Sequence, residues 1–223
     1  MAIVFPRISD VRRLRLKQRW SRQILQVLAI RVDATGEAFP SGSLLVANHI
    51  SWLDILAVNA VAAVAFVSKA EVRQWLLLGW IAEKAETVFL RRGSRGHAKI
   101  VNAEIDALLN AGKNVAIFPE GTTTDGTHLL GFHAALLQPA VETGQPIQPL
   151  AISYHYADGS RSLAPAYVGE ISLLQTFAAI LASRSMIVRV CATAALSPEK
   201  RSRRELASAA HQAIAVQLEF IPQ

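Results

Sequence analysis

The sequence has little cysteine and little charge. A single cysteine, Cys191, in 223 residues excludes an internal disulfide framework and fits a reducing compartment. Charged residues make up 18% of the chain and hydrophobic residues 52%, which excludes a disordered protein and leaves ample material for a core. The length suits one domain, or one domain with an added arm.

The chain also lacks long apolar runs. The stretches ILQVLAIRV, ILAVNAVAAVAFV and ISLLQTFAAILA all fall short of the roughly 20 residues that a membrane-spanning helix needs. The N-terminus does not have the layout of a signal peptide, because its charges are spread out and no small-residue cleavage site follows an apolar core. We therefore expect no transmembrane segment.

The positive charge of the chain is concentrated in its first 22 residues. They hold seven basic side chains and one acid, which equals the whole net charge of +6 and leaves the other 201 residues neutral. Leu16, Trp20, Ile24 and Leu28 recur every four residues and predict one apolar helical face surrounded by arginines. The basic residues are Arg7, Arg12, Arg13, Arg15, Lys17, Arg19 and Arg22.

The cationic arm, assigned to residues 1–35, has more than one reading. A cationic amphipathic helix can lie in the interface of an anionic membrane. It can equally pack on the domain that follows, with its arginines solvated. A nucleic-acid arm is disfavoured, because the rest of the chain has no basic stripe or recognised module, so we expect no nucleic-acid partner.

Short β-like runs alternate with helical ones after the arm. This alternation predicts an α/β domain over residues 36–223, in which a mixed, partly parallel central sheet is flanked by helices. Strands are predicted at SLLVAN, AFVSK, TVFL, NVAIF, IQPLAISYHY, AYVGE and MIVRVCAT, and helices at 52–63, 70–83, 95–111, 132–143, 172–182 and 198–219.

Three polar clusters each follow a predicted strand directly. They are Asn48 and His49, then Arg91 and Arg92, then residues 119–121. Ligands of such folds bind at the carboxyl ends of strands, so we expect the three clusters to converge on one crevice.

The stretch NHISWLD, residues 48–54, has more polar groups than a helix start requires. With Ser51 as N-cap, Asp54 three residues later completes a capping-box arrangement, but this leaves Asn48 and His49 unexplained. In the functional alternative, His49 lies just ahead of the helix and the Asp54 carboxylate bonds one imidazole nitrogen. The other nitrogen is then free to accept a proton.

The chain carries no motif for a protein nucleophile or a metal. It has no G-x-S-x-G elbow, no H-E-x-x-H and no Cys/His metal spacing, and Cys191 lies in a predicted core strand. What remains for a His49–Asp54 pair is to deprotonate a bound hydroxyl for direct attack on an activated acyl group. No metal and no cofactor are expected.

Two of these clusters resemble motifs of the glycerolipid acyltransferases, the family that contains the 1-acylglycerol-3-phosphate acyltransferases. Asn48-His49 with Asp54 resembles their N-H-x4-D motif. The stretch ETVFLRR is similar to their second motif, G-x-x-F-x-x-R, through Phe89 and Arg92.

The resemblance continues to about residue 155. FPEGTTTDG is similar to the third motif, F-P-E-G-T-R-S, through residues 118–122. GQPIQPLAISY resembles the fourth, a proline-containing strand, through Pro146 and Pro149. The order and spacing agree over roughly half of the chain, and the first and third motifs together are specific.

The resemblance implies transfer of an acyl chain from an acyl thioester, either acyl-CoA or acyl carrier protein, to a hydroxyl of a lysolipid. It implies that His49 is the general base and that Asp54 orients it. Taken alone, Arg92 reads as a surface arginine and Glu120 as a loop carboxylate. The acceptor-binding residues that the resemblance implies are Phe89, Arg92, Glu120, Gly121 and Thr122.

Two positions depart from the family pattern and bear on specificity. Glu86 replaces the glycine of the second motif, and Thr123 replaces the arginine of the third. Both changes reduce positive charge where a phosphate would bind. The default acceptor is 1-acyl-sn-glycerol-3-phosphate, and lyso-ornithine lipid or another lysolipid is the alternative.

The sequence therefore predicts a lysolipid O-acyltransferase of phospholipid biosynthesis, peripheral or monotopic on the cytoplasmic face of an anionic membrane. The rival hypothesis is a membrane-binding protein that keeps the fold without the chemistry. Only the enzyme needs both His49 and Asp54.

Overall fold

A computed structural model describes residues 10–69, 88–90, 95–183 and 185–219. Within these ranges seven strands form one sheet, and six α-helices flank it. The strands are β1 (Ile30–Gly36), β2 (Leu44–Ala47), β3 (Ala65–Lys69), β4 (Val88–Leu90), β5 (Val115–Ile117), β6 (Ile147–His155) and β7 (Met186–Ala192). The helices are α1 (Asp10–Val27), α2 (Leu53–Val61), α3 (Arg95–Asn110), α4 (Gln138–Thr143), α5 (Leu173–Ala182) and α6 (Arg203–Gln217), with a 3-10 turn at Ala134–Leu137 ahead of α4.

The sheet is mixed and mostly parallel. Its strand order is β1-β7-β6-β2-β5-β3-β4, and β6–β7 is the antiparallel pair among the neighbours. Strand β2 lies near the centre and is buried along its whole length, as expected of a parallel strand covered on both faces. Strands β2 to β6 run in the same direction, so their ends meet at one edge, which we call the carboxyl edge. β2 reaches it at Ala47 and β5 at Ile117.

Helices cover both faces of the sheet. The core on one face joins α1, α2 and α5 through Leu25, Leu53 and Ile180. The core on the other face joins α3, α4 and α6. Successive residues of β2 supply both cores, since Leu45 faces the first and Leu44 the second. The predicted α/β architecture with a mixed, partly parallel sheet is confirmed.

Two predicted elements differ from the structure. The stretch AYVGE does not form a strand, because the N–H of Tyr167 donates to the carbonyl of Ile50 (3.0 Å) in the loop after β2 instead of to a sheet neighbour. Residues 30–35, which the sequence analysis assigned to the arm, form most of β1 and pair in parallel with β7. The predicted helix at 70–83 lies outside the described residues.

Helix α1 packs on the domain. Leu25 and Leu28 are buried in the core, and Trp20 and Ile24 pack against it, while Arg12, Arg15 and Arg19 remain exposed. Three other side chains of α1 donate to carbonyls at or just beyond the C-terminal end of α2, where backbone acceptors lack helical partners and cations are favoured. These bonds join Lys17 to Val64, Gln18 to Val61 (2.6 Å) and Arg22 to Ala60 (2.7 Å).

Much of the apolar face of α1 therefore packs inside the protein, as in the second interpretation of the arm, in which the helix packs on the domain. None of the helices in the described part of the chain is both long and apolar enough to cross a bilayer.

The packing of α1 predicts a clear difference between two neighbouring apolar residues. Leu25→Ala should lower the free energy of unfolding by about 2–5 kcal/mol, because Leu25 is fully buried and its truncation leaves a cavity. Val27→Ala, at a side chain that is 83% exposed, should change it by less than about 0.5 kcal/mol. Urea unfolding followed by circular dichroism measures both, and equal stabilities would show that α1 is not part of the cooperative fold.

Candidate active site

His49 and Asp54 meet at the carboxyl edge, where the loop after β2 leads into the first turn of α2. The imidazole Nδ1 lies 2.8 Å from Asp54 Oδ2, and His49 precedes the first helical residue, Leu53. Asp54 is fully buried, whereas the side chain of His49 is 21% exposed. Because a carboxylate accepts the bond, the proton is assigned to Nδ1 and Nε2 is the basic nitrogen.

The Asp54 carboxylate is held by three further donors. Its Oδ2 also accepts the backbone N–H groups of Ile50 (2.7 Å) and Ser51 (2.9 Å), and its Oδ1 accepts the hydroxyl of Tyr154 (2.7 Å) from β6. Burial, followed by the adjacent charge of Asp54, raises the pKa of Tyr154 well above its ordinary value. The hydroxyl therefore stays protonated and remains a donor. Sequence reasoning missed Tyr154, which reads simply as one residue of an apolar strand.

The capping-box reading describes only part of this geometry. Asp54 does accept from the N–H of Ser51, but the Ser51 hydroxyl accepts from Leu53 (3.3 Å) and not from Asp54. The N-cap position belongs to Trp52, whose side chain makes no capping bond. The carboxylate therefore does more than close the first turn of α2.

Asn48 fixes the start of the loop. Its side-chain amide donates to the carbonyl of Ile152 (3.0 Å) and accepts from the N–H of the same residue (2.7 Å). A buried amide thus replaces the backbone of a neighbouring strand and continues the pairing of β6 past the end of β2. Asn48 therefore positions His49, a role that the motif alone did not show.

Glu120, at the end of β5, bridges two loops. One carboxylate oxygen accepts the backbone N–H of His49 (2.8 Å) and the other accepts that of Leu130 (2.9 Å). Burial raises the pKa of Glu120, and these two bonds oppose the shift. The structure shows a positioning contact for Glu120, while the predicted contact with the acceptor stays a prediction.

The imidazole of His49 is also held from one side by an aromatic ring. Phe118 stacks on it with ring centroids 3.9 Å apart and an interplanar angle of 12°. Phe66 lies behind Phe118, with centroids 6.0 Å apart. The backbone carbonyl of His49 accepts from the N–H of Thr124 (2.8 Å), so both the ring and the main chain of His49 are fixed by the segment after β5.

The remaining predicted site residues separate into two groups. Gly121 turns the chain after β5 with φ of +71°, a conformation that favours glycine, and Thr122 is exposed beside it. The hydroxyl of Thr123 donates to the carbonyl of Tyr167. Phe89 lies in β4, and both Glu86 and Arg92 lie outside the described residues, so their predicted contacts with the acceptor stay predictions.

Comparison with known proteins identifies the family of the chain. A model of the Acyltransferase family matches residues 31–153. The chain is 40% identical over 206 residues to the lyso-ornithine lipid O-acyltransferase of Pseudomonas aeruginosa, an alignment that covers 92% of this chain and 79% of that protein. The chain belongs to the acyltransferase family.

One further relative and one solved structure are also similar to this acyltransferase. It is 34% identical over 177 residues to the 1-acyl-sn-glycerol-3-phosphate acyltransferase of Neisseria meningitidis, with 78% of this chain and 69% of that protein covered. Its fold matches the crystal structure of the 1-acyl-sn-glycerophosphate acyltransferase PlsC from Thermotoga maritima with a TM-score of 0.70, over 98% of this chain and 85% of that one, at 21% identity. The predicted family and enzyme class, a lysolipid acyltransferase, are confirmed.

The hydroxyl of Tyr154 predicts a measurable stability difference between two tyrosines. Tyr154→Phe should lower the free energy of unfolding by about 1–3 kcal/mol, because a buried carboxylate oxygen of Asp54 loses its donor. Tyr156→Phe, at a partly exposed position just beyond β6, should change it by less than about 0.5 kcal/mol. Chemical denaturation of both variants decides, and a Tyr154→Phe protein as stable as the wild type would contradict the bond.

Proposed function

We propose that this acyltransferase moves an acyl chain from acyl-CoA or acyl carrier protein to a hydroxyl of a lysolipid, with His49 as the general base. The observation that carries the proposal is the His49–Asp54 pair at the carboxyl edge. One nitrogen of the imidazole is bonded to a buried carboxylate, and the ring is partly exposed. This is the arrangement of a base that serves a substrate hydroxyl.

The reaction follows from that geometry. Nε2 of His49 accepts the proton of the acceptor hydroxyl while its oxygen attacks the thioester carbonyl. The tetrahedral intermediate collapses, a C–O ester bond replaces the C–S bond, and the imidazolium returns the proton to the departing thiolate. Asp54 keeps the tautomer correct and stabilises the imidazolium, and the stacked ring of Phe118 restricts rotation of the imidazole.

No protein nucleophile is required by this scheme. The one cysteine, Cys191, lies on β7, where its thiol donates to the side chain of Gln217 on α6 (3.2 Å). That contact is on the face of the sheet opposite to α2, since α6 packs on the second core and α2 on the first. Direct transfer to the lysolipid is therefore favoured over an acyl-enzyme route through Cys191.

His49→Ala should reduce kcat by roughly 100- to 10,000-fold, the usual cost of removing a general base. The variant should stay folded, because Asp54 Oδ2, which loses the imidazole, keeps the N–H donors of Ile50 and Ser51. His133→Ala, at an exposed histidine in the segment after β5, is the matched control and should keep full activity.

The assay follows labelled ester formation with acyl-CoA and with acyl carrier protein over a panel of lysolipids. A stably folded His49→Ala protein with activity within about threefold of the wild type would exclude His49 as the base.

For the acceptor, we propose lyso-ornithine lipid, with 1-acyl-sn-glycerol-3-phosphate as the second candidate. The support is the 40% identity to a protein named for the first acceptor, together with the charges of the motifs. Glu86 stands where the family has glycine, and position 123 supplies a hydroxyl that is already bonded to Tyr167. A headgroup with an ammonium and a carboxylate suits Glu86 and Arg92 as partners, whereas a phosphate would be repelled by Glu86.

Glu86→Gly should therefore have opposite effects on the two acceptors. We expect kcat/KM to fall by roughly tenfold or more for lyso-ornithine lipid, the size of one lost charge-assisted hydrogen bond, and to rise for 1-acyl-sn-glycerol-3-phosphate. Arg92→Ala is the reference variant and should raise KM for both, since both carry an anion. Kinetics on the two acceptors side by side give the sign, and an unchanged preference would mean that Glu86 faces away from the headgroup.

We also propose that the enzyme works as a peripheral or monotopic protein on the cytoplasmic face of a membrane. Its acceptor is a lipid, and the exposed Arg12, Arg15 and Arg19 of α1 place positive charge on the surface of the domain. Basic residues near an anionic bilayer each contribute about 1 kcal/mol of binding free energy.

A further inference from the structure

Helix α5 exposes several of its large apolar side chains to solvent. Its inward face consists mainly of Thr176 and Ile180, which are buried. Leu174 and Leu181 are 76% and 53% exposed, and the sequence from Ile171 to Ser183 contains no charged residue. We call the outward set the α5 stripe: Ile171, Leu174, Phe177 and Leu181.

The stripe belongs to a well-formed helix. Ser172 and Gln175 form a complete capping box, with the Ser172 N–H donating to the Gln175 side chain (2.8 Å) and the Gln175 N–H to the Ser172 hydroxyl (3.3 Å). A surface helix of a globular protein normally turns its polar face to water. A contiguous exposed apolar face instead marks a surface that another apolar phase covers.

The chain on both sides of α5 is bonded to known parts of the fold. Ahead of the helix, the chain is tied to the active-site loop by the bond from the N–H of Tyr167 to the carbonyl of Ile50. After the helix, β7 begins beside the end of β6, since Ile187 pairs with His155. The segment ahead of the stripe is therefore joined directly to the loop that carries His49.

Positive charge lies next to the C-terminal end of α5. A cleft between α1, β1 and the end of α2 is lined by Arg22, Arg31 and Ala60, and Ser185, three residues after α5 ends, lines it too. Both arginines are exposed. An uncharged apolar stripe with cations at its border matches an anionic bilayer, in which phosphate groups lie above the acyl chains.

We propose that the α5 stripe inserts into the boundary between headgroups and acyl chains of an anionic bilayer, with Arg22 and Arg31 at the level of the phosphates. The helix has 10 residues, too few to span a bilayer, so it lies in the plane of the interface. The inference rests on the proposed function in one respect, which is that the acceptor is a lipid. It differs from docking through the apolar face of α1, where Leu25 is buried in the core.

The test uses the full chain and vesicles of phosphatidylcholine, alone or mixed in equal parts with phosphatidylglycerol. Leu174→Gln with Leu181→Gln should lower the partition coefficient roughly tenfold or more on both kinds of vesicle, because two side chains lose their apolar transfer. Arg31→Gln should lower it only on vesicles with phosphatidylglycerol, by about fivefold.

The matched control is Ile100→Gln with Val216→Gln. These side chains are 56% and 61% exposed, and they lie on α3 and α6, which cover the opposite face of the sheet. This variant should bind vesicles as the wild type does. Wild-type binding by the α5 variant would overturn the proposal, and so would an equal loss in the control.

Light scattering tests a second copy of the chain as the occupant. A wild-type dimer that becomes a monomer in the α5 variant would assign the stripe to self-association and overturn membrane docking.

A soluble short-chain lysolipid separates this proposal from the proposed function. The α5 variant should turn it over at the wild-type rate, because the substitutions leave the His49 site intact. If the wild type binds vesicles through α5 but acylates no lysolipid, the proposed function fails and the docking surface stands. If turnover is normal and the α5 variant binds vesicles as the wild type does, the docking proposal fails and the proposed function stands.

Discussion

The buried carboxylate of Asp54 is the group on which the arrangement of the site depends. Taking an ionised group out of water is costly unless hydrogen bonds replace its hydration. Here four donors do so: the imidazole of His49, two backbone N–H groups of the loop, and the hydroxyl of Tyr154. Asp54 also lies in the first turn of α2, where the helix dipole favours an acid. The same bonds that stabilise the charge fix the loop and the imidazole tautomer.

Helix α2 is bonded to other elements at both ends, so the position of His49 depends on those elements as well. At its start the Asp54 network ties it to β6 through Tyr154. At its end Lys17, Gln18 and Arg22 of α1 bond the carbonyls of the last turn and of the residues just beyond. Glu120 adds a separate link by accepting the backbone N–H of His49. His49 therefore moves only if several elements move together, which is the preorganisation that the proposed proton transfer would need.

Sequence patterns predicted those parts of the structure that depend on residues close together in the sequence. The His49–Asp54 bond follows from the spacing in NHISWLD once His49 is placed ahead of the helix, and buried strands such as β2 follow from their apolar runs. Contacts between residues that are far apart in the sequence could not be predicted from such patterns. Tyr154 reaches Asp54 across 100 positions of sequence, and β1 reads as a continuation of the arm until β7 pairs with it. AYVGE has the composition of a strand, but Tyr167 bonds to the loop at Ile50.

The sequence of α1 combines basic and apolar side chains, but the folded protein exposes the two kinds on different helices. Much of the apolar face of α1 packs into the core, so its exposed surface offers mainly arginines. An exposed apolar face lies instead on α5, which has no charge of its own. The two come closest at the cleft of Arg22 and Arg31, which Ser185, just after α5, also lines. Docking on this combined surface would hold the domain against the bilayer in which a lipid acceptor resides, with apolar side chains supplied by one helix and positive charge by another.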